Sequence, residues 1–221
     1  MSRVILHRAL GSPPARAVLM LCDTIGLPIE IKEVNILRGE HQTKEFKKLN
    51  PMGTVPVLQD GDFILSESHA IMKYLLSKYG GDSREALYPS DVRTRALVDQ
   101  CMFFDTGVFF RALRDTAASA FYLGQSGPSE KNVQDLETSY GVVEAYLRRR
   151  RYVAADQLTL ADYSVGSTAT AVQGMHQVQP NKFPRCADWL ARLQEERVFK
   201  EINAPGVAYF TKILQRAWEN N

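Results

Sequence analysis

Three short stretches carry residue types whose chemistry depends on where they sit. Ser12 stands directly before Pro13-Pro14 and a run with helical apolar spacing. Its hydroxyl therefore falls at a helix start, where free backbone N–H groups and the helix dipole favour an anion. The plain alternative is an N-cap serine with proline at the first helical position. Ser66-Glu67-Ser68 repeats the pattern after a strand-like segment. The Ser68 hydroxyl and nearby N–H groups suit a carboxylate and Glu67 suits an ammonium, the two charges of one amino-acid head. Ordinary capping accounts for the same residues. Between them, Thr54-Val55-Pro56 puts a proline at a strand entrance. A cis bond there leaves the Val55 N–H and C=O free to pair an extended peptide ligand, whereas an ordinary edge strand needs no ligand.

The elements that must position these residues follow from periodicity. Val4-Ile5-Leu6 is a strand that ends at Gly11-Ser12-Pro13-Pro14, and Ala15, Val18, Leu19, Cys22 and Ile25 mark a helix stopped by Gly26-Leu27-Pro28. Ile29, Ile31 and Val34 alternate with charged residues as a second strand. Val55 to Leu58 and Phe63 to Leu65 flank Asp60-Gly61, a hairpin turn signal, and Ile71, Tyr74, Leu75 and Tyr79 then follow the helical period up to Gly80-Gly81. The order β-α-β, a longer connection, then β-β-α predicts a mixed four-stranded sheet with helices packed on it over residues 1–81. Residues 82–90 are polar and read as a linker, and 91–221 as a helical domain. There, Leu97, Cys101, Phe104 and Val108 share one expected helix face, a second helix spans roughly 130 to 150, and Val207 to Trp218 is an amphipathic tail. Thr159-Leu160-Ala161-Asp162 reads as a capping box and is structural.

Composition narrows the function classes. The chain has 221 residues, 45% of them hydrophobic and 24% charged, and a net charge of +2. That excludes disorder and offers no electrostatic case for nucleic acid; Arg148 to Arg151 reads as a solvated helix end. No window approaches the roughly 18 consecutive apolar residues of a membrane helix, so no membrane association is expected. Three distant cysteines, Cys22, Cys101 and Cys186, suit a reducing cytoplasm and core packing. His7, His69 and His176 lack metal-ligand spacing, and no metal is expected.

The chain resembles the cytosolic glutathione transferases over essentially its whole length. The resemblance rests on Ser12-Pro13-Pro14-Ala15-Arg16, Gly39-Glu40-His41, Asn50-Pro51, Thr54-Val55-Pro56-Val57-Leu58, Glu67-Ser68-His69-Ala70-Ile71 and Leu158-Thr159-Leu160-Ala161-Asp162. The N-terminal set is similar to the insect delta and epsilon classes, and Asp105-Thr106-Gly107-Val108-Phe109-Phe110 leans toward epsilon. The resemblance implies a thioredoxin-like β-α-β-α-β-β-α domain followed by a helical one, glutathione as cosubstrate, a homodimer and detoxification chemistry. It implies that Ser12 donates a hydrogen bond to the glutathione sulfur. A thiol of pKa near 8.5 is only a few per cent ionised at neutral pH, and each unit of depression corresponds to about 1.4 kcal/mol. The Val55 backbone would take the cysteinyl amide, Glu67 and Ser68 the γ-glutamyl head and His41 the glycyl carboxylate. Pro56 would be the cis residue, with Pro14, Thr54 and His69 completing the set. At Gly53 the chain departs from the histidine common in these classes, which predicts a glycyl end held less firmly, with Lys44 or water substituting.

The hydrophobic electrophile would lie between the domains, near Leu10, Phe109, Arg111, Ala112, Asp115, Tyr209 and Phe210. The same aromatic spacing fits core packing. Conjugation, elimination of hydrogen chloride and hydroperoxide reduction all start from one thiolate. A noncatalytic carrier of steroid-type ligands is the rival on this fold. A thiol-disulfide reductase would want cysteine where Ser12 stands.

Overall fold

A computed structural model describes residues 3–221, so Met1 and Ser2 of the expected N-terminal unit lie outside the described residues. Alternation buries Val4 and Leu6 of β1 (Val4–Arg8) and sets it at the middle of a sheet of order β2-β1-β3-β4. The partners are β2 (Glu30–Glu33), parallel to β1, and β3 (Val57–Asp60) and β4 (Phe63–Ser66), joined antiparallel through Asp60-Gly61. The helices of this half are α1 (Pro13–Thr24), α2 (Lys44–Leu49) and α3 (Ser68–Tyr79). Register decides what gathers where. Arg8 pairs Glu33, His7 pairs Val57, and Val57 pairs Ser66, so the chain leaves β1, β2 and β4 and enters β3 at one edge of the sheet.

The segment expected as a linker contains a short helix, α4 (Ser83–Leu87). Beyond it run α5 (Val92–Phe104), α6 (Phe110–Tyr122), α7 (Glu130–Tyr146), α8 (Leu160–Val172), α9 (Pro184–Glu195) and α10 (Ala204–Glu219). The helix expected to run to about 150 ends at Tyr146 and tightens into a 3₁₀ turn over Leu147–Arg149. Between α5 and α6 the chain makes a π turn over Asp105–Phe109, and a second one, Phe199–Asn203, precedes α10. The first corrects a sequence expectation. A π turn holds one residue more than an α turn, so the phase that buries Cys101 and Phe104 leaves Val108 exposed and turns Phe109 inward.

α1 is buried on almost every side because α3 packs on it from the N-terminal half while α8, the second π turn and α10 pack on it from the helical half. α8 is buried along its full length. Its start is fixed by Asp162, whose carboxylate accepts from Thr159 N at 2.9 Å, Thr159 Oγ1 at 3.1 Å, Val153 N at 3.0 Å and Trp189 Nε1 at 3.1 Å. The capping box thus also anchors the 151–156 loop and α9. All three cysteines are buried, and burial pushes their thiols up to about 12, which makes them poor nucleophiles.

Candidate active site

Ser12 ends the loop that leaves β1 and caps α1. Its Oγ accepts from Ala15 N at 3.4 Å, and its carbonyl accepts from Arg16 N at 3.0 Å. The hydroxyl proton stays available to a ligand. The expected free N–H groups do not exist, because Pro13 and Pro14 have none and Ala15 and Arg16 direct theirs to Ser12. The start of α1 therefore offers an anion one O–H and a dipole.

The start of α3 is the opposite case. Glu67 sits at its N-cap without making a side-chain capping bond, and its backbone has φ 69° and ψ 109°. A non-glycine residue at positive φ costs of order 1–3 kcal/mol and persists where the surroundings impose it. The exposed Glu67 carboxylate and the half-buried Ser68 hydroxyl thus stand beside an uncapped helix terminus at the same sheet edge as Ser12. Spacing gave no sign of the Glu67 conformation.

The Val55-Pro56 bond is cis. Val55 precedes β3 outside the ladder, and Asn50, itself buried, shapes its approach by donating from Nδ2 to Thr54 O at 2.8 Å and Thr54 Oγ1 at 2.9 Å. Across from it, Asn35 and Glu40 staple the loop that carries the half-buried His41, through Asn35 N to Glu40 Oε2 at 2.7 Å. His41 Nδ1 is buried without a partner.

The family model for "Glutathione S-transferase, N-terminal domain" matches residues 6–83, and that for "Glutathione S-transferase, C-terminal domain" matches residues 110–196. The chain belongs to the glutathione S-transferase family. It is 38% identical to glutathione S-transferase 1 of Manduca sexta, over 91% of this chain and 92% of that one. An epsilon-class glutathione S-transferase from the housefly Musca domestica superposes with a TM-score of 0.93 at 36% identity, covering 97% of this chain and 98% of that one. A glutathione transferase homologue from Drosophila mojavensis, solved with bound glutathione, has a TM-score of 0.93 at 37% identity and covers 98% of each chain. The expected insect-type transferase and its two-part fold are those of these relatives, and the carrier alternative has no support among them.

The structure gives several residues expected at the transferase site other contacts. His69 faces the helical half: Nε2 bonds Ser164 Oγ at 2.5 Å, Nδ1 bonds Thr106 Oγ1 at 3.1 Å, and Ser164 Oγ donates to Asp105 Oδ2 at 2.5 Å. Both ring nitrogens are used, so His69 joins the two halves instead of presenting a free ring to a ligand. Phe109 is 0% exposed and packs against Phe104 and Tyr140, turned into the core by the π turn. Ala112 is buried, whereas Arg111 and Asp115 are exposed and pair with each other at 3.7 Å. Leu10 lines a groove with Leu19, Leu27, Ile202 and Pro205. Tyr209 and Phe210 do meet the Ser12 loop, since a Cβ on Gly11 would lie 3.3 Å from Tyr209 Cδ1 and 3.4 Å from Phe210 Cβ.

Gly53 has its own explanation. Its φ is +60°, a Cβ there would fall 2.8 Å from His41 O, and Gln42 Nε2 donates to Gly53 O at 3.1 Å. Only glycine is accommodated without moving the His41-Gln42 segment. Gly53→His is therefore expected to cost about 1–3 kcal/mol of stability and to leave glutathione affinity no tighter than wild type. Thermal unfolding and calorimetric titration check this; a tighter, equally stable variant contradicts it.

Proposed function

We propose that this chain binds glutathione along the shared sheet edge and ionises its thiol with a hydrogen bond from Ser12. The observation that carries this reading is the direction of the Ser12 hydroxyl bonds: Oγ accepts from the helix, so its single proton is the donor left for sulfur. Val55 pairs the cysteinyl amide, with Thr54, Pro56 and Pro14 shaping the wall beside it. Glu67 and Ser68 take the γ-glutamyl head, and His41, whose Nδ1 lacks a partner, takes the glycyl carboxylate. In conjugation the thiolate attacks the electrophilic carbon directly. A C–S bond forms, the leaving group departs with its electron pair, and the thiol proton passes to solvent. Hydrophobic electrophiles enter between the halves beside Tyr209 and Phe210. Elimination of hydrogen chloride and hydroperoxide reduction draw on the same thiolate.

In this reading residues 1–81 bind glutathione, 82–90 connect, and 91–221 supply the electrophile pocket, in a cytosolic homodimer. The dimer surface is the face on which Phe103, 73% exposed, lies 6.0 Å from Lys73 Nζ and Phe63 packs on Tyr74. No helix among the described residues is long and apolar enough to cross a membrane.

The test is the initial rate of glutathione conjugation to 1-chloro-2,4-dinitrobenzene. Turnover well above the uncatalysed rate supports the reading, and glutathione binding without turnover contradicts it. Glu67 supplies a second check. Glu67→Gly is expected to raise the glutathione KM about tenfold or more by removing the ammonium partner, while gaining about 1 kcal/mol of stability from relief of the positive φ. A variant that loses stability and keeps its KM would make Glu67 a purely structural residue.

A further inference from the structure

The start of α1 has no spare N–H, yet an uncompensated charge lies one turn along it. Arg16 is 1% exposed. One terminal nitrogen donates to Asn203 Oδ1, the other donates to Ser167 O at 3.2 Å, and Nε has no partner. Among the described residues no carboxylate pairs with it; burial alone acts on it, pulling its pKa down to about 9 and leaving it charged at neutral pH. Buried charges are ordinarily paired.

The carboxylates on the elements packed against α1 are committed or distant. Asp162 of α8 is held by Thr159, Val153 and Trp189. Glu201 in the second π turn and Asp23 at the far end of α1 both bind Arg197. α3 carries no acid, its His69 is used by Ser164 and Thr106, and its Lys73 and Lys78 pair with Asp99 and Asp60. Tyr163 of α8 bonds Thr24, Lys200 pairs with Glu195, and α10 adds Lys212 and Arg216, with its one acid, Glu219, at its last turn.

Helix spacing sets Arg16 one turn beyond Ser12, with its guanidinium held by Asn203 and Ser167. Residues four apart share a helix face, and helical side chains lean toward the N-terminus. The Arg16 stem accordingly passes the loop before Ser12: a Cβ on Gly206 would lie 2.3 Å from Arg16 Cδ and 2.6 Å from Leu10 O.

We propose that Arg16 is a positioning residue whose buried guanidinium, left without an anion in the free protein, lowers the thiol pKa of glutathione bound at Ser12. The inference rests on the glutathione reading above. The thiolate supplies the missing negative charge. Four residues along a helix rise about 6 Å, and one charge at about 10 Å in an effective dielectric of about 20 shifts a thiol by about one pKa unit.

Titrating the thiolate absorbance of bound glutathione tests it. Arg16→Met is expected to raise the thiol pKa by about one unit, and Arg16→Lys by much less. Asn203→Asp is the second variant, because it keeps Arg16 and gives it a carboxylate; the thiol pKa is again expected to rise by about one unit. An unchanged pKa in Asn203→Asp and Arg16→Met overturns the proposal, since a purely structural Arg16 would alter stability and leave the titration alone. Asn203 Nδ2 also donates to Thr170 Oγ1 at 3.0 Å, so an Asn203→Asp chain that fails to fold reports that lost bond, and the Arg16→Met titration then decides alone. A wild type that binds no glutathione defeats the parent reading and this one together; a wild type that binds and ionises it with unshifted variants defeats this one alone.

Discussion

Ser12→Ala is expected to lower kcat/KM for conjugation ten- to a thousandfold near pH 6.5, a loss of about 1.4–4 kcal/mol in transition-state stabilisation. The direction follows from the inventory at the start of α1. With Pro13 and Pro14 unable to donate, the Ser12 O–H is the sole directed donor this terminus offers a sulfur anion. Its removal raises the thiol pKa of bound glutathione by about one to two units. The deficit is therefore expected to narrow as pH climbs toward 9, where glutathione ionises unaided. Stability moves little. The capping bond from Ala15 N is long at 3.4 Å, so its loss falls near the low end of about 0.5–2 kcal/mol. Conjugation rates from pH 6 to 9, beside thermal unfolding of both proteins, decide the matter. A variant matching wild type at pH 6.5 would reduce Ser12 to a helix cap.

The largest stability effect belongs to Asp162, far from any sulfur. Asp162→Ala leaves Val153 N, Thr159 N and Trp189 Nε1 without their acceptor in the interior, at a cost of roughly 3–5 kcal/mol. For a chain of this size that is a fall of about 10 °C in Tm. Burial lifts the Asp162 carboxyl to about 6, above its ordinary value. Between about pH 4 and 6 the folded chain thus holds a proton that the unfolded chain releases, so wild type gains stability on acidification, by up to about 3 kcal/mol from this group. The alanine variant lacks that gain, and the gap between the two is expected to widen from pH 7 to pH 4.5. Denaturant titrations at both pH values measure it. A Tm within 2 °C of wild type at pH 7 would show that these three donors find other partners.

What was legible in the sequence was whatever a few neighbouring residues decide. Asp60-Gly61 demands a hairpin, Thr159 and Asp162 a capped start, and Pro13-Pro14 a helix entrance; each needs no knowledge of distant contacts. Local patterns mark the candidate residues at the sheet edge only as separate anion or peptide sites, and the family resemblance joins them. The losses have one cause, which is that the deciding partner is remote. His69 reads as a ligand residue from its place beside Glu67 and Ser68, yet Ser164 and Thr106 claim it. Phe109 looked like a pocket aromatic because the helical period was carried straight through a π turn. Arg16 passed as part of a motif, since its isolation depends on what Asn203, Ser167 and Gly206 do not supply.

The π turn over Asp105–Phe109 decides how the helical half can be rewound. It amounts to one surplus residue in an otherwise continuous rod from Val92 to Tyr122. Deleting a single residue there would restore the ordinary winding and rotate all of α6 by about 100° relative to α5. Arg111 and Asp115, now facing water, would swing to a new heading, and Ala112 would leave the core. A one-codon length change would thus re-aim every side chain of α6 while the residues at the sheet edge kept their places.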